Sequence, residues 1–125
     1  MTAMSGSPAV LVADDSAVAR LTLARRLRAE GFDVVEHPSA ASARGASPAG
    51  LVCALLDLDL GDGDGDDVAH ALHAQRPDLP VAFFSASTSA ELVDRARAIG
   101  PVFAKPGELD AAVAWVRGHG PGGAK

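Results

Sequence analysis

The chain has 125 residues, 48% of them hydrophobic and 22% charged, enough for one domain with a buried core and too few for a second. Sixteen acids against eleven bases give a formal charge of −5, and the bases are scattered, so no electrostatic footprint for nucleic acid or an anionic membrane is expected. The single Cys53 excludes a disulfide frame or a cysteine zinc site, and no basic start or run of about 18 apolar residues marks a secretory signal or membrane span, which points to a cytoplasmic, reducing setting.

Residues 1–8 read as a flexible arm. Ala9–Ala13 is then a continuous apolar run, the pattern of a strand buried on both faces, and it ends in Asp14, Asp15 and Ser16. Ser16 suits the N-cap of a helix in which Val18, Leu21, Ala24 and Leu27 mark one side and which stops at Gly31. Residues 32–36 read as a second strand, with His37 in the loop before Pro38. Residues 39–47, rich in Ala and Ser, predict a short and weakly packed helix.

Six apolar residues, Leu51–Leu56, stop at Asp57 and give way to a Gly/Asp-rich turn. This is the pattern of a central parallel strand with Asp57 at its carboxyl end, where open α/β sheets bind ligands. A helix over 66–75 with Val68, Ala71 and Leu72 inward ends before Pro77 and Pro80. Val81–Ser85 is a fourth apolar strand, ending in a hydroxyl. A helix over 89–99 carries Leu92, Val93, Ala96 and Ile99 at helical spacing. Val102–Ala104 forms a short strand ending in Lys105 and Pro106, and a last helix over 108–117 presents Leu109, Ala112, Val113 and Val116, with Trp115 partly buried. The glycine-rich stretch from Gly118 reads as irregular, so the domain is expected over 9–118 with a flexible tail over 119–125.

Strands alternating with helices imply a doubly wound five-stranded parallel sheet with helices on both faces. The pattern leaves the strand order open, but placing the first strand beside the third would gather Asp14, Asp15 and Asp57. Clustered carboxylates repel unless a cation neutralises them, and oxygen ligands with room for water suit Mg²⁺. Lys105 and the Ser85 hydroxyl would hold the remaining oxygens of a phosphoryl group, and Asp57 is the natural nucleophile.

In these residues the chain resembles response-regulator receiver domains over about Val10 to Arg117. Asp14-Asp15-Ser16 resembles the acidic pair, Asp57 the phosphoacceptor, Gly65 the glycine opening the third helix, Ser85-Ala86 the hydroxyl followed by a small residue, and Lys105-Pro106 the lysine before a cis-proline. The resemblance implies a flavodoxin-like order 2-1-3-4-5 and Mg²⁺-dependent phosphoryl transfer from a kinase phosphohistidine to Asp57. It assigns metal ligation to Asp14, Asp15, Asp57 and the Asp59 backbone carbonyl, and catalytic roles to Asp57, Ser85 and Lys105. It further implies a signalling switch or phosphate shuttle rather than a turnover enzyme. The expected partners are a sensor histidine kinase or histidine phosphotransfer protein and a downstream protein target, with the chain a monomer or weak dimer.

Four features depart from that pattern. Only Pro101 separates Gly100 from the fifth strand; Val102 stands where signalling members carry Tyr or Phe, with Phe103 facing the other side; Gly61 replaces a common proline; and Asp59 puts an acid where the side chain is often neutral. Two other functions share part of this pattern. Asp57-Leu58-Asp59 imitates the acid pair of haloacid-dehalogenase-type phosphohydrolases, but the pair follows the third strand and a cap domain does not fit. A receiver-like module that binds a partner without phosphorylation is the other. The acids Asp62, Asp64, Asp66 and Asp67 are expected to be solvated and to have no catalytic role. Residues 62–66 lack the Gly and Glu positions of a calcium loop, and His70 with His73 lacks a third metal ligand.

Overall fold

The computed structural model of the protein describes residues 8–120. The expected arm therefore lies outside the described residues except for Pro8, and the expected tail except for His119 and Gly120. The elements run β1 (Ala9–Ala13), α1 (Ala17–Ala29), β2 (Asp33–His37), α2 (Ala40–Arg44), β3 (Leu51–Leu56), α3 (Gly65–Gln75), β4 (Val81–Ser85), α4 (Ala90–Arg97), β5 (Val102–Ala104) and α5 (Leu109–His119). All four strand pairings are parallel, in the order β2-β1-β3-β4-β5.

The apolar runs are continuous because alternate side chains feed two separate cores. Leu11, Ala13, Ala54, Leu56 and Phe83 pack on α2, α3 and α4 through Ala40, Ala43, Val68, Leu72 and Ala96. Val10, Val12, Cys53, Leu55, Ala82 and Phe84 pack on α1 and α5 through Leu23, Leu27, Ala112, Val113 and Val116. Each large side chain taken out of water in these layers contributes about 1.5–3 kcal/mol. Val102 joins the first core and Phe103 the second, as their adjacent positions on one strand require.

The α1 face differs from expectation. The buried residues are Leu23, Ala24 and Leu27, whereas Val18 is 77% and Leu21 43% exposed. The expected set was a ladder of three-residue steps, and each such step falls about 60° short of a full helical turn, so only its C-terminal end meets the sheet. Likewise Ala69 rather than Ala71 completes the buried side of α3, and the α4 helix ends at Arg97, with the chain leaving it before Ile99.

Two boundaries also move. Phe32 precedes β2: its amide donates to the Leu27 carbonyl at the end of α1 while its ring enters the core. The α5 helix continues through Gly118 and His119, where the Trp115 and His119 rings meet at a tilt of 58° with centroids 4.4 Å apart, and Gly120 closes it against the Phe32 ring. A Cβ at Gly120 would lie 2.8 Å from Phe32 Cζ, so this end is packed rather than loose. His37 is the last residue of β2, with Nδ1 2.6 Å from the Ser42 hydroxyl, and burial lowers its pKa.

Candidate functional site

Strand register builds the site. Ala13 pairs with Leu56, and the Asp57 amide donates to the Ala13 carbonyl at 2.9 Å, so Asp14 and Asp57 leave adjacent strands side by side. Ser85 pairs with Ala104, which brings the hydroxyl and Lys105 to the same edge. Asp14, Asp15 and Asp57 each offer a carboxylate oxygen within 4.8 Å of the others; Asp14 and Asp57 are buried and Asp15 is exposed. Three hard oxygen donors with one open to water fit Mg²⁺, which keeps part of its hydration shell.

Both oxygens of Asp57 already have partners. The Ser85 hydroxyl donates to Oδ1 at 2.7 Å, and Lys105 Nζ lies 3.2 Å from Oδ2. Lys105 sits still closer to Asp14, at 2.5 Å, so the lysine bridges two carboxylates rather than serving Asp57 alone. Burial pushes the Asp14 carboxyl above its ordinary pKa, against the pull of Lys105 and the Ser16 amide. Burial alone would lower Lys105, but Asp14 and Asp57 outweigh it and hold the ammonium above the usual lysine value. Lys105 is a cation that offsets the mutual repulsion of Asp14 and Asp57 in one pocket. The Lys105–Pro106 peptide bond is cis, as expected.

The turn after Asp57 is tied down from both sides. Gly65 opens α3 directly against Asp57: a Cβ there would fall 2.1 Å from the Asp57 carbonyl oxygen, so no larger residue fits. Gly61 has φ of +83°, which proline cannot adopt, and this accounts for its replacing one. The Asp59 carboxylate accepts from the Gly61 amide at 3.0 Å and lies outside the group of three acids.

The expectation of solvated loop acids is corrected at Asp66, which is buried; Asp62 is exposed, as expected, and Asp64 is half-buried. Asp62 accepts from the Ala40 and Ala41 amides at 2.8 and 3.0 Å, capping α2, and these bonds lower its pKa. Asp66 is buried, with Arg95 Nε 2.9 Å from its Oδ2, and the same guanidinium reaches Asp64 at 2.9 Å. Sequence patterning marks none of these pairs, because their partners lie between 21 and 31 positions away. Asp67 is exposed, as expected. His73 Nε2 lies 2.9 Å from the Leu79 carbonyl oxygen, His70 is exposed, and Cys53 is a core residue whose thiol burial pushes up to about 12.

Beside Lys105 an apolar cleft of about 190 Å³ opens between α1, Pro106 and α5, lined by Ala19, Thr22, Leu23, Phe84 and Leu109. The exposed Val18 and Leu21 lie on α1, the same helix that supplies Ala19, Thr22 and Leu23.

A family model for the response regulator receiver domain matches residues 10–116. Transcriptional regulatory protein PrrA of Mycobacterium tuberculosis is 37% identical over 86 residues, which are 68% of this chain and 37% of PrrA, and PrrA of Mycobacterium leprae matches equally. The match thus spans little more than a third of the length of these relatives. Among solved structures, the non-phosphorylated HemR receiver domain from Leptospira biflexa superposes with a TM-score of 0.78 at 26% identity, covering 90% of this chain and 93% of that one. A receiver domain protein from Clostridium thermocellum superposes at 0.79 with 14% identity, covering 90% and 93%, a likeness of fold alone.

Proposed function

This chain belongs to the response-regulator receiver domain family of two-component systems, and from that premise we propose that it accepts a phosphoryl group on Asp57 from a phosphohistidine, in a Mg²⁺-dependent transfer. The observation that carries the proposal is the convergence of Asp14, Asp15 and Asp57 within 4.8 Å, with Ser85 and Lys105 already on the Asp57 carboxylate.

The Asp14, Asp15 and Asp57 carboxylates, with the Asp59 backbone carbonyl, would hold Mg²⁺, which supplies positive charge against the phosphoryl oxygens. An Asp57 oxygen forms the new O–P bond as the P–N bond breaks, and its electron pair returns to the donor imidazole. Ser85 and Lys105, which now contact Asp57 Oδ1 and Oδ2, then turn their protons to the transferred oxygens. The product is one aspartyl phosphate per chain, a state of a signalling switch rather than a released product. The acid at position 59 stands two residues past the acceptor and bears on how long that state lasts.

The donor is a sensor kinase or a histidine phosphotransfer protein. The apolar cleft between α1 and α5 supports docking of that protein there, because a surface seated on Val18, Leu21 and Pro106 stands beside Lys105 and the acceptor. The downstream partner is a protein. Incubation with Mg²⁺ and acetyl phosphate, followed by intact mass, is expected to add one phosphoryl group. No mass gain, or repeated turnover of a phosphate ester, would overturn the reading.

A further inference from the structure

We infer that Arg20 is a positioning residue for the metal site, one that sets Asp15 in place by holding the peptide bond that precedes it. The inference rests on the Mg²⁺ reading above. Of the three acids, Asp15 alone is exposed, and its carboxylate makes no hydrogen bond or ion pair with protein groups among the described residues. What is fixed of the side chain is the Cα–Cβ bond, which the backbone sets. The peptide plane that carries the Asp15 amide also carries the Asp14 carbonyl, and Arg20 Nη1 donates to that oxygen at 2.7 Å.

Arg20 can do this because it is itself fixed. Its side chain is only 16% exposed, and its Nε lies 3.3 Å from Glu36 Oε1 on β2. Glu36 pairs across the sheet with Val12, two residues before Asp14, so the guanidinium spans from the edge strand to the turn that bears both acids. On its other side the Asp14 amide donates to the His37 carbonyl at 3.1 Å. The turn is thus held at the Asp14 amide by β2 and at the Asp14 carbonyl by Arg20, and only the second hold comes from a side chain that can be substituted.

The sign of the effect separates positioning from charge. Removing a cation beside three carboxylates would by itself tighten Mg²⁺ binding. Loss of positioning weakens it. The test is a calorimetric Mg²⁺ titration of the full chain, with thermal unfolding in the absence of Mg²⁺ recorded alongside. Arg20→Met keeps the packed stem and removes the donors, and it is expected to raise the Kd about fivefold, about 1 kcal/mol. Arg20→Lys, which keeps a donor within reach of the carbonyl, is expected to restore most of the affinity. Arg28→Ala removes the other cation on Glu36, 3.1 Å away, without touching Asp14 and is expected to leave the Kd unchanged. Unchanged or tighter binding in Arg20→Met, or equal weakening in Arg28→Ala, would overturn the inference and leave the phosphoacceptor reading standing. Failure of the unaltered chain to bind Mg²⁺ would overturn both.

Discussion

The two flanks of the site are built differently. On the side of β1, β2 and α1, Asp14 is held through its amide, its carbonyl and both carboxylate oxygens, by His37, Arg20, Ser16 and Lys105, and α1 buries Leu23, Ala24 and Leu27 beneath it. On the side of β4, α4 and β5, a helix of eight residues buries Ala96 alone, and the strand that follows has three residues, none fully buried. Half-buried Leu92 and Val93 add to the α4 packing, and the Arg95 guanidinium ties the helix to Asp64 and Asp66. The backbone that carries two of the three acids stands on the first flank, and the second is thinly packed and the more open to local unfolding.

The largest expected effect comes from removing what both flanks meet on. Asp57→Asn is expected to abolish the mass gain with Mg²⁺ and acetyl phosphate; a variant that still gains one phosphoryl group would move the acceptor elsewhere.

Gly65→Ala tests how tightly α3 abuts the acceptor. With a Cβ 2.1 Å from the Asp57 carbonyl oxygen, the helix must shift, and a loss of about 1–3 kcal/mol is expected in urea unfolding. An unchanged midpoint would show that the helix start yields without strain.

Lys105→Ala removes the ammonium that bridges Asp14 and Asp57. Asp14 then stays buried with only the Ser16 amide on its carboxylate, so a loss of about 1–3 kcal/mol is expected without Mg²⁺ and a smaller one with it. Mg²⁺ affinity should hold or rise, since the carboxylates lose a competitor; a tenfold loss of affinity would place the lysine in the metal site itself.

Arg95→Ala sharpens the comparison on the weaker flank. Its side chain is 41% exposed, and water screens it, so only a small loss of stability is expected. Amide exchange in α4 should quicken while that in α1 stays unchanged. Equal quickening in both would erase the distinction between the flanks.

Much of this architecture is legible in the sequence. Strands that end abruptly in Asp14, Asp57, Ser85 and Lys105 reveal the sheet and the acid cluster together, because a strand buried on both faces must be apolar up to the residue where it reaches the site. The inner face of α1 is not legible, since Val18, Leu21, Ala24 and Leu27 form a regular ladder that winds off the sheet. Nor are the clasps of Arg20 on a carbonyl, Asp62 on two amides and Arg95 on Asp66, which depend on where the fold brings distant side chains. The Lys105 contact with Asp14 is not legible for the same reason: the two residues lie 91 positions apart, and the sequence pattern points the lysine to Asp57.

The most direct measurement is amide chemical-shift mapping with Mg²⁺, before and after adding beryllofluoride as a phosphoryl mimic. Ser85 is one route outward from Asp57, and Val102, β-branched and half-buried, has neither the size nor the χ1 freedom to swing between exposed and buried positions as a large aromatic would. The bias it transmits is expected to be a small part of the roughly 5.5 kcal/mol that a near-complete two-state switch requires. The account predicts shifts at Asp14, across residues 57–65 and across residues 85–88, with little change beyond. No response around Asp57 would contradict the acceptor site, and large shifts running through residues 91–99 and Val102 would contradict the weak coupling assigned to the α4 flank.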